Sequence, residues 1–126
     1  FVQANRAEAA CMLSGPGDDP GEEALIGLAR LILRRGSRAV FFTMGRDGVF
    51  ILDSRGKERR RPQTLEKAVD TTGCCDIFAS ATAYRLVHGE NSAESSSFGL
   101  EIASRAAGTA GVDQAFSLAR SLRKNI

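Results

Sequence analysis

The sequence predicts an α/β fold in which helices cover a small β-sheet. Residues 39–43 (Ala-Val-Phe-Phe-Thr) form an uninterrupted apolar run, which is typical of a strand buried on both faces. Apolar residues with helical spacing precede this run, and further helical segments follow it. A polar segment around residues 57–61 predicts an exposed hairpin strand between them. This order of helix, buried strand, hairpin and paired helices is typical of layered α/β structures.

Capping signals predict the first two helices. Asn5 is expected to cap a short helix over residues 6–13, with Glu8 at the third helical position as in a capping box. Asp19 is expected to cap a second helix, with Pro20 at its first position. The apolar spacing of that helix continues until a glycine at position 36 ends it.

Turn residues divide the rest of the chain. Asp47 and Gly48 predict a turn into a second strand at residues 49–52, and a further short strand is predicted at residues 64–69. Glycines at the segment ends also predict three later helices. The first begins near Asp76 and ends at Gly89, the second spans residues 92–109, and the third spans about residues 114–123.

Composition excludes several classes of protein. The 126 residues carry a net charge of +2, with 43% hydrophobic and 25% charged residues, as in a soluble globular protein. This charge gives no support for nucleic-acid binding. No apolar run approaches the roughly 20 residues of a membrane span. The three cysteines, two of them adjacent, do not form a disulfide framework. We therefore expect a reduced, cytoplasmic protein without nucleic-acid or membrane partners.

The segment most informative about function is residues 69–76 (Val-Asp-Thr-Thr-Gly-Cys-Cys-Asp), which leads into a helix. The N–H groups of Gly73, Cys74, Cys75 and Asp76 would be unpaired at the helix start, where the helix dipole favours an anion such as phosphate. The Asp76 carboxylate beside that anion could accept a proton from an attacking hydroxyl. The alternative is that Asp76 is only a first-turn acid favoured by the dipole.

A second motif follows the buried strand. Thr43, Gly45 and Gly48 form the pattern Thr-x-Gly-x-x-Gly at its carboxyl end. Ligands of open α/β sheets bind at the carboxyl ends of strands, and a glycine there allows a phosphate to approach the backbone. The alternative is an ordinary hairpin turn.

The third motif is Asn5 and Glu8, which lie three residues apart on one face of the first predicted helix. Their side-chain oxygens could orient a hydrated Mg²⁺ ion. The alternative is simple helix capping.

In this order and spacing, the three motifs resemble the C-terminal half of the ribokinase-like, or PfkB, family of carbohydrate kinases. In that family an Asn-x-x-Glu motif precedes Thr-x-Gly-x-x-Gly, and Asp-Thr-Thr-Gly-Ala-Gly-Asp then opens a helix. The corresponding positions here are Asn5 and Glu8, then Thr43, Gly45 and Gly48, and then residues 70–76. The resemblance implies a Rossmann-type three-layer α/β/α fold, of which this chain would be the C-terminal part.

The resemblance also implies an activity, the transfer of the γ-phosphate of ATP to a hydroxyl of a sugar or related alcohol, with Mg²⁺. The resemblance implies that Asp76 is the catalytic base and that the anion hole is formed by Gly73, Cys74, Cys75 and Asp76. It places the nucleotide phosphates at Thr43, Gly45, Gly48 and Thr72, and adenine near Ser104. Asn5 and Glu8 would lie near Mg²⁺. On this reading residues 1–126 form a single nucleotide-binding portion of the kinase.

This sequence departs from the family pattern in two ways. Cys74 and Cys75 replace the family's Ala-Gly, and a side chain at position 75 is expected to crowd the transferring phosphate. No counterpart of the sugar-binding half and lid precedes Phe1, so we expect a larger protein and self-association of the isolated chain through uncovered strand edges. A degenerate, non-catalytic kinase fragment that binds nucleotide or a partner therefore remains the alternative.

Overall fold

A four-stranded sheet organises the first part of the chain in the computed structural model, which describes residues 1–15, 17, 19–61 and 67–123. The strands are β1 (Val2–Asn5), β2 (Ala39–Thr43), β3 (Val49–Asp53) and β4 (Gly56–Arg60), paired in that order. β1 runs parallel to β2, whereas β2, β3 and β4 pair antiparallel as successive hairpins. In this register Asn5 lies beside Thr43, so two of the sequence motifs meet at one edge of the sheet.

The core of this part is aromatic and lies on both faces of the sheet. Phe41, Phe42 and Phe50 are fully buried, which confirms the expectation for residues 39–43. Phe42 and Phe50 stack with their ring centroids 6.2 Å apart. Burial of each ring contributes about 1.5–3 kcal/mol.

Two helices accompany the sheet, α1 (Arg6–Leu13) and α2 (Glu22–Arg34). They share a hydrophobic cluster with the strands. Its buried members are Ala4, Ala9, Leu25, Leu28, Ala29, Val40, Phe42, Phe50 and Leu52. The predicted bounds of α1 are confirmed. The polar strand β4 is exposed as predicted, and Lys57 and Arg59 each approach a carboxylate oxygen of Glu22 on α2 to 2.7 Å.

The prediction that Asp19 caps α2 is wrong. α2 begins at Glu22, with Gly21 as its N-cap and no side-chain cap. Asp19 lies outside the helix, where its carboxylate accepts a hydrogen bond from the Arg6 guanidinium at 2.5 Å. Pro20 therefore also precedes the helix rather than opening it.

The second part of the chain is helical. It contains α3 (Cys74–Val87), α4 (Ser92–Ala107) and α5 (Val112–Arg123). α4 ends two residues before its predicted end at residue 109, and α5 begins two residues before its predicted start at about residue 114. Of the strand predicted at residues 64–69, positions 64–66 lie outside the described residues. At 67–69 the prediction is wrong, because this segment is irregular and the Val69 N–H donates to the carbonyl of Ala107 at 2.8 Å.

The chain forms two compact units, Phe1–Arg60 and Arg61–Ile126. The second unit has its own core, in which Ile77 of α3, Ile102 and Ala106 of α4, and Ala115 of α5 are buried together. Among the described residues, each helix is too short or too polar to cross a membrane.

A glycine lets α3 and α4 approach closely. A Cβ built on Gly99 would lie 2.2 Å from Oγ1 of Thr82 and 2.9 Å from the carbonyl oxygen of Phe78. The sulfur of Cys74 lies 3.7 Å from the carbonyl oxygen of Ala103, near the start of α3 and the end of α4. The packing at Gly99 therefore helps to hold α4 against the helix that carries Asp76.

Replacement of Gly99 by alanine should destabilise the chain by about 1–3 kcal/mol, because the added methyl group overlaps buried atoms of α3. Gly27 on α2 is the matched control, since a Cβ there would meet nothing within 4 Å. Gly27→Ala should stabilise the chain by about 0.5–1 kcal/mol. Urea denaturation followed by helical circular dichroism measures both. Equal stability of the two variants would contradict this description of the α3–α4 contact.

Candidate functional site

A left-handed glycine precedes α3. Gly73 is the N-cap of this helix, with φ +79° and ψ −3°, a conformation that side chains disfavour. The Cys74 N–H donates to the Thr71 carbonyl at 3.1 Å, and the Ile77 N–H donates to the Gly73 carbonyl at 2.9 Å. The chain therefore turns sharply at Gly73 and enters the helix at once. We call residues 70–73 the glycine loop.

Asp70 fixes the conformation of the glycine loop. Its Oδ1 accepts the Thr72 N–H at 2.9 Å, and its own N–H donates to the Ala107 carbonyl at 3.2 Å. Hydrogen bonds from the backbone and side chain of Thr72, with a smaller contribution from the Gly111 N–H, lower the pKa of Asp70 below its ordinary value. Asp70 is thus held as a carboxylate that binds Thr72, and its backbone N–H ties the loop to the end of α4.

The start of α3 presents unpaired donors. Within the described part of the chain, no acceptor binds the N–H groups of Cys75 and Asp76, which are the second and third residues of the helix. The Asp76 side chain is exposed in the same turn. N–H donors and a carboxylate therefore lie within one helical turn, as anion binding next to a proton acceptor requires.

The two adjacent cysteines have different surroundings. Cys74 is half-buried, and its thiol lies 3.7 Å from the Ala103 carbonyl of α4. Burial raises the pKa of this thiol, with smaller contributions from Cys75 and Asp70. Cys75 is exposed and has no left-handed backbone. The turn therefore obtains its left-handed residue from Gly73, and the backbone does not need glycine at position 75.

The Thr43–Gly48 segment of the first unit forms a 3₁₀ turn at Gly45–Asp47 between β2 and β3. Gly45 and Gly48 have φ values of +56° and +89°. In the described residues, no acceptor binds the N–H groups of Gly45 and Arg46. The Thr43 hydroxyl accepts a hydrogen bond from the Gln3 amide at 3.3 Å. The turn is a hairpin connection that also leaves two backbone donors for a ligand.

Asn5 and Glu8 form a complete capping box. The Asn5 Oδ1 accepts the Glu8 N–H at 2.9 Å, and the Glu8 Oε2 accepts the Asn5 N–H at 2.7 Å. In the described ranges, no group of three or more His, Cys, Asp or Glu side chains could hold a metal ion. Glu8 is exposed and retains Oε1, and one carboxylate can hold Mg²⁺ through the ion's own waters. The donors therefore fit a hydrated ion but do not form a protein cage.

Ser104 is half-buried on α4. The last residue of this helix, Ala107, accepts the N–H groups of Val69 and Asp70 at the start of the glycine loop. Within the second unit, residues 72–76 therefore lie together and α4 adjoins them. Within the first unit, the sheet brings Asn5 beside Thr43.

Sequence reasoning missed several residues that shape the glycine loop. The motif comparison assigns no role of its own to Asp70, although an Asp side chain commonly accepts the N–H of the residue two positions later in a turn. The Ala107 carbonyl and the side chains of Val112 and Phe116 approach the loop from distant positions in the sequence. Nothing in their local sequence predicts these contacts.

The family of this chain follows from a match over most of its length. The model of the pfkB family of carbohydrate kinases matches residues 1–117, so the chain belongs to this family. This result confirms the resemblance inferred from the three motifs.

Solved structures of sugar and nucleoside kinases share the fold. A ribokinase from Thermotoga maritima is 25% identical, with a TM-score of 0.73, and the match covers 97% of this chain and 41% of that one. An adenosine kinase from Sinorhizobium meliloti is 26% identical over 99% of this chain and 36% of its own, with a TM-score of 0.75. A ribokinase from Arabidopsis thaliana, complexed with ribose and ATP, has a TM-score of 0.75 at 20% identity, with 94% and 40% covered.

The α/β fold is therefore ribokinase-like, as predicted. The chain spans 36–41% of the length of these three kinases.

Proposed function

We propose that this chain supplies the phosphoryl-transfer portion of an ATP-dependent kinase whose acceptor is a sugar or related alcohol. The observation that carries the proposal is that the N–H groups of Cys75 and Asp76 find no acceptor among the described residues and share one helical turn with an exposed carboxylate. The membership in a carbohydrate kinase family supports the reaction class.

The anion hole acts on the charge that develops during transfer. N–H groups fixed by the helix do not need to reorganise as negative charge grows on the γ-phosphate, so they stabilise the transition state more than the ground state. Gly73 allows this arrangement because its left-handed turn ends the loop directly before Cys74. We assign the N–H groups of Gly73, Cys75 and Asp76 to this role. The Cys74 N–H, expected from the sequence to be unpaired, instead donates to the Thr71 carbonyl.

Asp76 accepts the proton of the acceptor hydroxyl. The acceptor oxygen then forms a bond to the γ-phosphorus, and the bond from that phosphorus to the bridging oxygen of the β-phosphate breaks, which releases ADP. The proton resides on the Asp76 carboxyl until solvent removes it. An exposed carboxylate meets the requirement that the base be reachable by a diffusing acceptor.

The remaining assignments concern the nucleotide and its ion. We assign the N–H groups of Gly45 and Arg46, with Thr43, Gly48 and Thr72, to the phosphates of ATP, and Ser104 to the neighbourhood of adenine. Asn5 and Glu8 would hold a hydrated Mg²⁺ ion, which neutralises phosphate charge when bound. We further propose that the kinase binds a sugar, is cytoplasmic and associates with copies of itself. We expect no nucleic-acid or membrane partner.

Asp76→Asn in the complete kinase should lower kcat by roughly 10²–10⁴-fold, because the amide cannot accept the hydroxyl proton. The affinity for ATP should change little, since the backbone donors remain. ADP release in the presence of a panel of sugars measures kcat, and calorimetry measures ATP binding. Asp113→Asn is the matched control, because Asp113 is also an exposed first-turn acid, on α5. Wild-type turnover in Asp76→Asn would contradict the role given to this residue.

The alternative is a non-catalytic module that retains nucleotide binding. The observation in its favour is the thiol-bearing Cys75 at the start of α3, where the family pattern has glycine. The helical, unstrained backbone at this position argues for tolerance of the side chain.

Cys75→Gly separates these two functions. The kinase proposal predicts a turnover within roughly tenfold of the wild type, because the variant keeps the backbone N–H, whose loss would cost about 10²–10³-fold. Cys11→Ala on α1 controls for the loss of an exposed thiol. A gain in kcat of about a hundredfold or more in Cys75→Gly alone would contradict the proposal and favour the degenerate module.

A further inference from the structure

The side chain of Phe116 has an unusual setting. It is 41% exposed and stands outside the buried cluster of the second unit. One edge of its ring nevertheless lies against the glycine loop, because a Cβ built on Gly73 would be 3.5 Å from its Cε2 atom. The Cγ1 atom of Val112 would be 3.8 Å from the same Cβ. The left-handed residue of the loop therefore rests on an apolar wall from α5.

Hydrogen bonds fix the other end of the loop. The carboxylate of Asp70 binds the Thr72 N–H at 2.9 Å. On the other side, the Ala107 carbonyl at the end of α4 accepts the N–H groups of Val69 and Asp70. The glycine loop is thus held at Asp70 by polar contacts and at Gly73 by apolar ones.

α5 is itself anchored next to Phe116. Ala115 is 2% exposed and packs with Ile77, Ile102 and Ala106. Since Ala115 and Phe116 are consecutive on a helix, burial of one fixes the backbone that carries the other. The core of the second unit therefore fixes the backbone that places the Phe116 ring beside Gly73.

We propose that Phe116 is a positioning residue for phosphoryl transfer, which holds Gly73 in its left-handed turn and thereby fixes the N–H groups of Cys75 and Asp76. The effect on catalysis rests on the proposed function, whereas the effect on the loop does not. A purely structural role would make Phe116 one more packing residue, whose loss loosens the whole unit evenly.

Hydrogen exchange of the 126-residue chain tests the effect on the loop. The readout is the exchange rate of the Cys74 amide, which closes the turn on Thr71, divided by that of the Leu100 amide in the middle of α4. Phe116→Ala should raise this ratio by about tenfold or more, and Phe116→Leu, which keeps an apolar side chain, by less. Should Phe116→Ala fail to fold, the ratio in Phe116→Leu decides.

Ile102→Ala is the matched control, because Ile102 is 4% exposed in the core of the same unit, whereas the atoms nearest to a Cβ built on Gly73 belong to Phe116 and Val112. It should destabilise the chain more than Phe116→Ala does, yet accelerate both amides together and leave the ratio unchanged. An unchanged ratio in the Phe116 variants, or an equal rise in Ile102→Ala, would overturn the proposal.

Turnover of the complete kinase tests the effect on catalysis. Phe116→Ala should lower kcat by about tenfold or more and leave the KM of the sugar within about twofold, because misplaced donors affect the transition state most. Partial recovery of kcat in Phe116→Leu is expected. Equal falls of kcat in Phe116→Ala and Ile102→Ala would contradict a positioning role. A wild-type protein that phosphorylates no sugar or related alcohol would instead contradict the proposed function, and the exchange ratio would still decide whether Phe116 positions the loop.

Discussion

The left-handed turn at Gly73 sets where α3 begins and which backbone donors its first turn presents. With φ at +79°, the chain leaves the glycine loop and begins α3 one residue later. A side chain at this position would be strained by the backbone and would also face Phe116 and Val112. The Cys74 N–H closes the turn on Thr71, whereas the next two N–H groups of α3, those of Cys75 and Asp76, find no acceptor in the described part of the chain and remain available to an anion.

The first unit obtains its candidate ligand-binding edge from strand pairing. Parallel pairing of β1 with β2 places Asn5 beside Thr43, at the carboxyl ends of both strands. The β2–β3 connection then turns at Gly45, and the N–H groups of Gly45 and Arg46 find no acceptor within the described residues. In this unit the same residues serve structure and the proposed function: Asn5 and Glu8 cap α1, and the Thr43 hydroxyl bonds a neighbouring strand. The capping box explains these two side chains fully without a metal, so their assignment to Mg²⁺ rests on the proposal.

Local signals predicted the elements whose cause is local. The run at residues 39–43 is a buried strand because every side chain in it is apolar or small, and Asn5 caps α1 because Glu8 completes the capping box. The prediction for Asp19 failed because Arg6, thirteen residues away, binds its carboxylate. Residues 67–69 form no strand, since the Val69 N–H bonds to Ala107 instead of to a neighbouring strand. The bracing of the glycine loop by Phe116 could not be predicted at all, because it depends on how α5 packs.

We propose that the start of α3 binds the phosphates of a nucleotide. Titration of ATP with Mg²⁺ into the isotope-labelled 126-residue chain, followed by amide chemical shifts, measures this binding at single residues. We expect saturable shifts at Cys75 and Asp76 that adenosine does not produce, with no comparable shifts at Ser92 and Ala93, which begin α4. Shifts of the same size at both helix starts, or none at Cys75 and Asp76, would contradict it.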